Sequence, residues 1–260
     1  MSDPVSRKRV FITGASSGLG EALAREYAAR GATLGLLARR AEPMQALVAE
    51  LSGEHRVFVA DVGDARAIGD AATSFVSEFG VPDIVIANAG VSVGTLTEHA
   101  EDLDAFERVL RTNLFGMAAT FQPFVEPMRS RGSGRLVGIA SVAGIRGLPG
   151  AGAYSASKAG ALAYLESLRV ELHGSGVRVV TVAPGYIRTP MTAINPYPMP
   201  FILPADEAAR RIAGIIDRGR RYAVVPWQMG VVARLLRILP RSLFDVLFAR
   251  AGRKPRNLPL

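Results

Sequence analysis

Tyr154-Ser155-Ala156-Ser157-Lys158 sets a phenol and an ammonium four residues apart, which in a helix puts both on one face. A free tyrosine, with a pKa of about 10, is a poor proton carrier near neutrality. A neighbouring ammonium favours the phenolate and brings proton transfer toward working pH. Such a spacing also arises on ordinary helix surfaces, so the pair gains meaning from its company. Ser141 lies 13 residues upstream at the end of an apolar run. From there its hydroxyl can help bind the oxygen that Tyr154 would protonate.

A second group of residues reads as an anion site. Thr13-Gly14-Ala15-Ser16-Ser17-Gly18-Leu19-Gly20 follows the first apolar run and opens a helical stretch. Gly14, Gly18 and Gly20 remove side chains where a backbone must turn tightly against a pyrophosphate, and the helix amides beyond them face that anion. A bare glycine triplet is also what a plain tight turn looks like; its position between strand and helix favours dinucleotide binding. The second apolar run ends in Ala38-Arg39-Arg40, without the acid that would accept from a ribose 2′-hydroxyl. Two guanidiniums there suit a 2′-phosphate and favour NADP(H), with Arg39 the direct contact and Ser16 a hydroxyl donor. Arg40 reads equally as the start of a solvated helix face.

The elements that must position these groups follow from periodicity. Apolar runs at 9–13, 33–37, 57–60, 84–87, 136–140, 177–183 and 223–225 alternate with helical stretches at 20–30, 43–51, 65–79, 105–128, 153–173 and 205–218. Near-continuous Val/Ile/Leu strands between helices mean a parallel sheet covered on both faces. The fold expected is α/β, a single-domain, doubly wound Rossmann-type sheet of about seven strands. Residues 1–225 form the catalytic domain, and 226–260 a basic amphipathic extension packed on or near it. The uncharged, proline-rich stretch from Pro190 to Pro204 reads as a loop over something apolar.

The order of Thr13–Gly20, Asp61-Val62, Asn88-Ala89-Gly90, Asn113, Ser141, Tyr154/Lys158 and Pro184-Gly185 resembles the short-chain dehydrogenases/reductases, across roughly residues 9–221. The resemblance implies an enzyme that passes the 4-pro-S hydride of NADP(H) to a carbonyl carbon. Tyr154 then delivers a proton, while Ser141 and Tyr154 meet charge on the oxygen. By the same likeness, Lys158 lowers the Tyr154 pKa and binds the nicotinamide ribose. Asn113 kinks its helix and holds a water in a relay to Lys158. Ser17 and Leu19 belong to the glycine loop, and Asp61 with the Val62 amide holds the adenine. Asn88-Ala89-Gly90 lines the cofactor, with Ala87 standing where the family more often has a further asparagine. Pro184-Gly185 turns beneath the nicotinamide, with Ile187 and Thr189 near its carboxamide. The resemblance also implies a homodimer or homotetramer that pairs the helices at 105–128 and 153–173.

The substrate is less well written. Met191, Ile194, Tyr197, Met199, Phe201 and Leu203, with Val91, Val93, Ile145 and Leu148, would line a pocket for a small hydrophobic carbonyl or alcohol. The same side chains could merely pack the loop. Composition, 49% hydrophobic and 21% charged, is globular. Cysteine is absent, and His55, His99 and His173 have no ligand spacing, so no metal is expected. The net charge of +8 lies in the tail, where nine Arg and one Lys after Asp217 face Asp245 alone. Aromatic platforms are missing there, and no nucleic acid is expected. Val231, Val232, Leu235, Leu236 and Leu239 fall on one helical face, and Leu243, Phe244, Leu247 and Phe248 repeat the design. Such a pair fits an anionic membrane interface or, equally, a cap over the pocket or a subunit contact. The short polar start and the lack of any ~20-residue apolar stretch suggest a cytoplasmic protein, with peripheral membrane association through the tail as the alternative. A silent NADP(H)-sensing regulator of the same fold is the competing function; the intact Ser/Tyr/Lys set speaks against it.

Overall fold

The structure is a computed structural model and describes residues 7–258. Seven parallel strands form its sheet: β1 (Arg9–Thr13), β2 (Thr33–Ala38), β3 (His55–Val59), β4 (Ile84–Ala87), β5 (Gly134–Ile139), β6 (Val177–Pro184) and, last in the chain, β9 (Tyr222–Val225). Their order is β3-β2-β1-β4-β5-β6-β9. The chain winds outward from β1 through β2 to β3 and then returns, laying β4 against the other side of β1. That reversal opens a crevice at the carboxyl ends of β1 and β4, where sheets of this kind bind ligands.

Each strand feeds both layers because side chains alternate across the sheet. Val10 and Ile12 point to one face, covered by α1 (Gly18–Ala29), α2 (Ala41–Glu50) and α8 (Ala205–Asp217) through Leu23, Tyr27, Met44 and Ile212. Phe11 points to the other, covered by α3 (Ala65–Phe79), α5 (Gly116–Arg131) and α6 (Gly152–Glu171). There its ring meets Phe75 edge-on at 5.4 Å and Phe124 at 5.0 Å. Strands buried on both faces must be apolar throughout, which is why their runs stand out in the sequence.

Three stretches differ from the sequence-based expectation. The helix expected over 105–128 is α4 (Asp102–Leu110), a π-helical turn (Arg111–Phe115) and α5 in succession. The wider turn turns Asn113 inward, fully buried. The loop from Pro190 holds a short helix, α7 (Pro190–Ala193), and returns on itself where β8 (Leu203–Pro204) pairs with β7 (Ile187–Arg188). The tail forms α9 (Trp227–Ile238) and α10 (Arg241–Phe248), but its apolar side chains divide. Met229 and Ala233 are buried, Val232, Leu236 and Leu239 are half-buried, and Val231 and Leu235 face outward. The side that packs on the domain is centred on Met229 and Ala233, so the stripe at 231–239 straddles the boundary between core and solvent.

Residues 249–258 then run back across the domain as a strap. The Gly94 amide donates to the Pro255 carbonyl at 2.9 Å. Arg256 pairs with buried Asp102 at 2.7 Å, and Leu258 packs on Val93, Val109 and Ala153. Val93 therefore belongs to a small separate core rather than to a substrate pocket, contrary to expectation, because the strap's return covers it. No helix among the described residues is long and apolar enough to cross a membrane.

Candidate active site

A cavity of about 370 Å³ opens at the carboxyl edge of the sheet, around the β1/β4 reversal. It is lined by Gly14, Ser16, Ser17, Gly18 and Leu19 from the first turn, Arg39 and Arg40 after β2, Asp61 and Val62 after β3, and Asn88, Ala89 and Gly90 after β4. Ser141, Tyr154 and Lys158 line it farther along, with Pro184, Gly185, Ile187 and Thr189 after β6. Of the residues singled out for cofactor and catalysis, Gly20 and Asn113 lie behind this wall rather than on it, and each has a structural task there. Of the side chains expected to line a substrate pocket, Val91 and Met191 border the cavity, whereas Ile145, Leu148, Ile194, Tyr197, Met199, Phe201 and Leu203 do not. A Cβ on Gly20 would stand 2.1 Å from the Gly14 carbonyl oxygen, and one on Gly14 would stand 2.7 Å from Ala89 Cα. The first turn is thus packed backbone against backbone between helix α1 and the loop after β4. Asn88 fastens it, its side-chain amide donating to the carbonyls of Thr13 at 3.1 Å and Gly14 at 3.2 Å.

At one end stand the guanidiniums. Arg40 donates to the Ser16 hydroxyl at 3.2 Å, and Arg39 lies 3.9 Å from the Asp61 carboxylate. Asp61 also accepts from the Gly63 amide at 2.7 Å, which fixes the turn after β3. Arg40 therefore faces the glycine turn as directly as Arg39 faces Asp61.

At the other end α6 brings Tyr154 and Lys158 to the edge of the sheet. Lys158 is buried, and its ammonium donates to the Ile139 carbonyl at 2.8 Å, which leaves it 5.8 Å from the centre of the Tyr154 ring. Burial pushes Lys158 down to about 8. Burial pushes Tyr154 up, and a hydrogen bond with Ser141 partly opposes that. Ser141 begins a single 3-10 turn (Val142–Gly144) and accepts from the Ala143 amide at 3.1 Å. Gly144 lets this turn lie on α6, since a Cβ there would meet the Lys158 carbonyl carbon at 2.6 Å. Asn113 joins the β4 loop to α6. Its side chain accepts from the Val91 amide at 2.8 Å and donates to the Val91 carbonyl at 2.9 Å and the Ser157 hydroxyl at 3.0 Å.

Several lining residues carried no signal of their own: Ala38, Ala60, Ile139 and Ala140 enter at strand ends, and Thr112 from the π-helical turn. Gly144 could have been suspected only from the need to bring Ser141 to Tyr154. The tail's part was also hidden. Met229 of α9 backs the Pro184-Gly185 turn so closely that a Cβ on Gly185 would come within 2.5 Å of it. Lys254 of the strap is buried and donates to the carbonyl of Met191, a lining residue, at 3.0 Å. Burial pushes Lys254 down to about 8. Above that pH the unfolded chain holds the proton that the folded chain has released, so stability rises with pH. Lys254→Met is therefore expected to gain less thermal stability than the native protein between neutrality and about pH 10. Equal gains in parallel melting curves would contradict a charged Lys254 buried under the strap.

The sheet, the glycine turn and the tyrosine–lysine pair together define a nucleotide-dependent oxidoreductase of α/β type. The model of the short chain dehydrogenase family matches residues 8–196. An uncharacterized oxidoreductase of Myxococcus xanthus (strain DK1622) is 39% identical over 249 residues, which cover 95% of this chain and 98% of that one. Among solved structures, levodione reductase is 29% identical with a TM-score of 0.77, over 84% of this chain and 95% of its own. An alcohol dehydrogenase from the archaeon Thermococcus sibiricus, complexed with 5-hydroxy-NADP, is 26% identical with a TM-score of 0.76, over 85% and 96%. The chain belongs to the short-chain dehydrogenase family and is an oxidoreductase that uses a nicotinamide nucleotide.

Proposed function

We propose that the chain is an NADP(H)-dependent oxidoreductase interconverting a ketone or aldehyde with its alcohol, on a lipid-like or otherwise apolar substrate. The observation that carries this reading is the convergence of Ser141, Tyr154 and Lys158 at one end of a cavity whose other end holds Arg39 and Arg40. The residues fit the cofactor. The turn at Gly14, Gly18 and Gly20 suits a pyrophosphate, Asp61 and Val62 the adenine, and Arg39, Arg40 and Ser16 a 2′-phosphate. Asn88–Gly90, Pro184, Gly185, Ile187 and Thr189 would border the nicotinamide. The bound cofactor supplies the hydride, and the protein supplies position and charge.

The side chains do the rest. A Tyr154 pKa raised by burial keeps the phenol protonated at neutral pH, so it holds the proton a carbonyl reduction needs. Ser141 offers a second hydrogen bond to the same oxygen, where charge develops. Once Tyr154 has given up its proton, the Lys158 ammonium stabilises the phenolate, and Asn113 holds the turn through which the proton is replaced. Met191, Val91 and Ile187 give the substrate end an apolar wall, which supports a hydrophobic carbonyl. The names of levodione reductase and of the Thermococcus alcohol dehydrogenase, with its NADP analogue, support carbonyl–alcohol chemistry and NADP(H). We place the enzyme in the cytoplasm as a homodimer or homotetramer. The latter assignment is supported by the exposed apolar side chains of Leu103 on α4 and Val170 on α6. The test is oxidation of NADPH and of NADH across ketones and aldehydes graded from short aliphatics to steroids and long-chain 3-keto compounds. The reading expects faster NADPH turnover that improves with apolar size; a preference for sugars or NADH would overturn it.

A further inference from the structure

We propose that the outward face of α9 and α10 is a peripheral anchor for an anionic lipid surface. On α9, Trp227, Val231, Leu235 and Ile238 are spaced four, four and three residues apart and stand on one side. Trp227 is 69% exposed and Ile238 77%. On α10, Leu243, Val246 and Leu247 are exposed as well, with Val246 76% exposed. The helices behind this face are firmly seated. Arg146, five residues after Ser141, donates to the carbonyls of Leu236 at 2.9 Å and Leu239 at 3.0 Å and lies 4.2 Å from the Phe244 ring centre. Phe244 stacks in turn on Phe248 at 4.3 Å. The exposed side chains therefore stand on helices that Arg146 and Phe244 tie to the domain.

The charge beside them selects the occupant. Arg234, Arg237, Arg241 and Arg250 are exposed around the patch, and Asp245 is the sole acid between Arg218 and the chain's end. Of the other cations beyond α10, Lys254 lies on the Met191 carbonyl and Arg256 on Glu101 and Asp102, while Arg253 is exposed. Two copies meeting through this face about a two-fold axis would bring arginines against arginines. An anionic bilayer instead takes the apolar side chains into its headgroup boundary and pairs the arginines with lipid phosphates. Because Arg146 links this corner to the turn that starts at Ser141, an anchored molecule would hold its substrate loops beside the lipid. The anchor does not depend on the reaction proposed.

The experiment is sedimentation of the full chain with phosphatidylglycerol-containing vesicles and with pure phosphatidylcholine vesicles, alongside Ile238→Asp/Val246→Asp. The native protein is expected to sediment with the anionic vesicles at low salt, to be released as salt is raised, and to bind neutral vesicles at least tenfold less. The double variant should lose anionic binding at least tenfold. It should keep native solution mass and native NADPH-linked turnover of a short soluble aldehyde, which separates the anchor from the chemistry. Native protein that stays in the supernatant, or binding unchanged in the variant, would overturn the proposal. So would a fall in solution mass in the variant, which would make the face a contact between copies.

Discussion

Tyr154→Phe is expected to abolish carbonyl-dependent NADPH oxidation while leaving NADPH affinity within a few-fold of native. The substitution keeps the ring that α6 packs beside the cavity and removes only the hydroxyl. That hydroxyl is the group whose proton burial retains and whose position Ser141 shares. A positioned acid of this kind contributes roughly 10²–10⁴-fold to a rate, and none of the other lining groups can replace it. Lys158 keeps its bond to the Ile139 carbonyl in the variant, so its place in the cavity does not change. Turnover by stopped assays and NADPH binding by fluorescence titration read the two effects separately. Residual activity within tenfold of native would remove Tyr154 from the chemistry.

The second large effect is on cofactor choice. Replacing Arg39 and Arg40 together by alanine is expected to weaken NADPH binding about tenfold or more and to leave NADH nearly unaffected. Hydrogen bonds to charged partners contribute about 1.5–3 kcal/mol each, and both guanidiniums are exposed enough for solvent to reduce that. About 1.4 kcal/mol surviving from the pair is a factor of ten. The two positions are not equivalent in their neighbours. Arg40 reaches the Ser16 hydroxyl on the glycine turn, and Arg39 faces Asp61. Both single variants are therefore informative, and the Arg40 variant separates a phosphate contact from a solvated helix start. Titration of each variant with NADPH and NADH checks the difference. Equal loss of both nucleotides would mean that the arginines hold the turn and not a phosphate.

Much of this site was legible because its residues perform obligatory tasks. The strand ends are apolar on both faces, so each β-to-α turn that carries a functional residue could be located. Gly14 and Gly20 stand where backbone meets backbone, Gly18 takes a positive φ of 60° against the Thr189 side chain, and their absent side chains are visible in the sequence. What was hidden lies in long-range returns of the chain. Periodicity alone ran one helix from 105 to 128. The π-helical turn falls at Asn113, where the resemblance implied a kink, and the contacts of its side chain with Val91 and Ser157 are ones that spacing does not encode. The strap at 249–258 carries Lys254 to Met191 over 63 residues of sequence. Nothing in a tail of arginines and leucines announces that its last residues leave the helices and cross three loops. Val93, which had looked like a pocket residue, is covered for this same reason by Leu258. Nor could the single apolar stripe drawn on α9 foresee that Arg146 would draw one side of it inward and leave the other in solvent.

The most direct test of the account is the fate of hydrogen from the cofactor. NADPH carrying deuterium at the pro-S position of the nicotinamide C4 is incubated with the full chain and an apolar ketone, and the alcohol is analysed by mass spectrometry. The account predicts one deuterium on the carbinol carbon of the product, with none formed by Tyr154→Phe. An alcohol without the label, or NADPH bound and never consumed with any ketone or aldehyde, would contradict it.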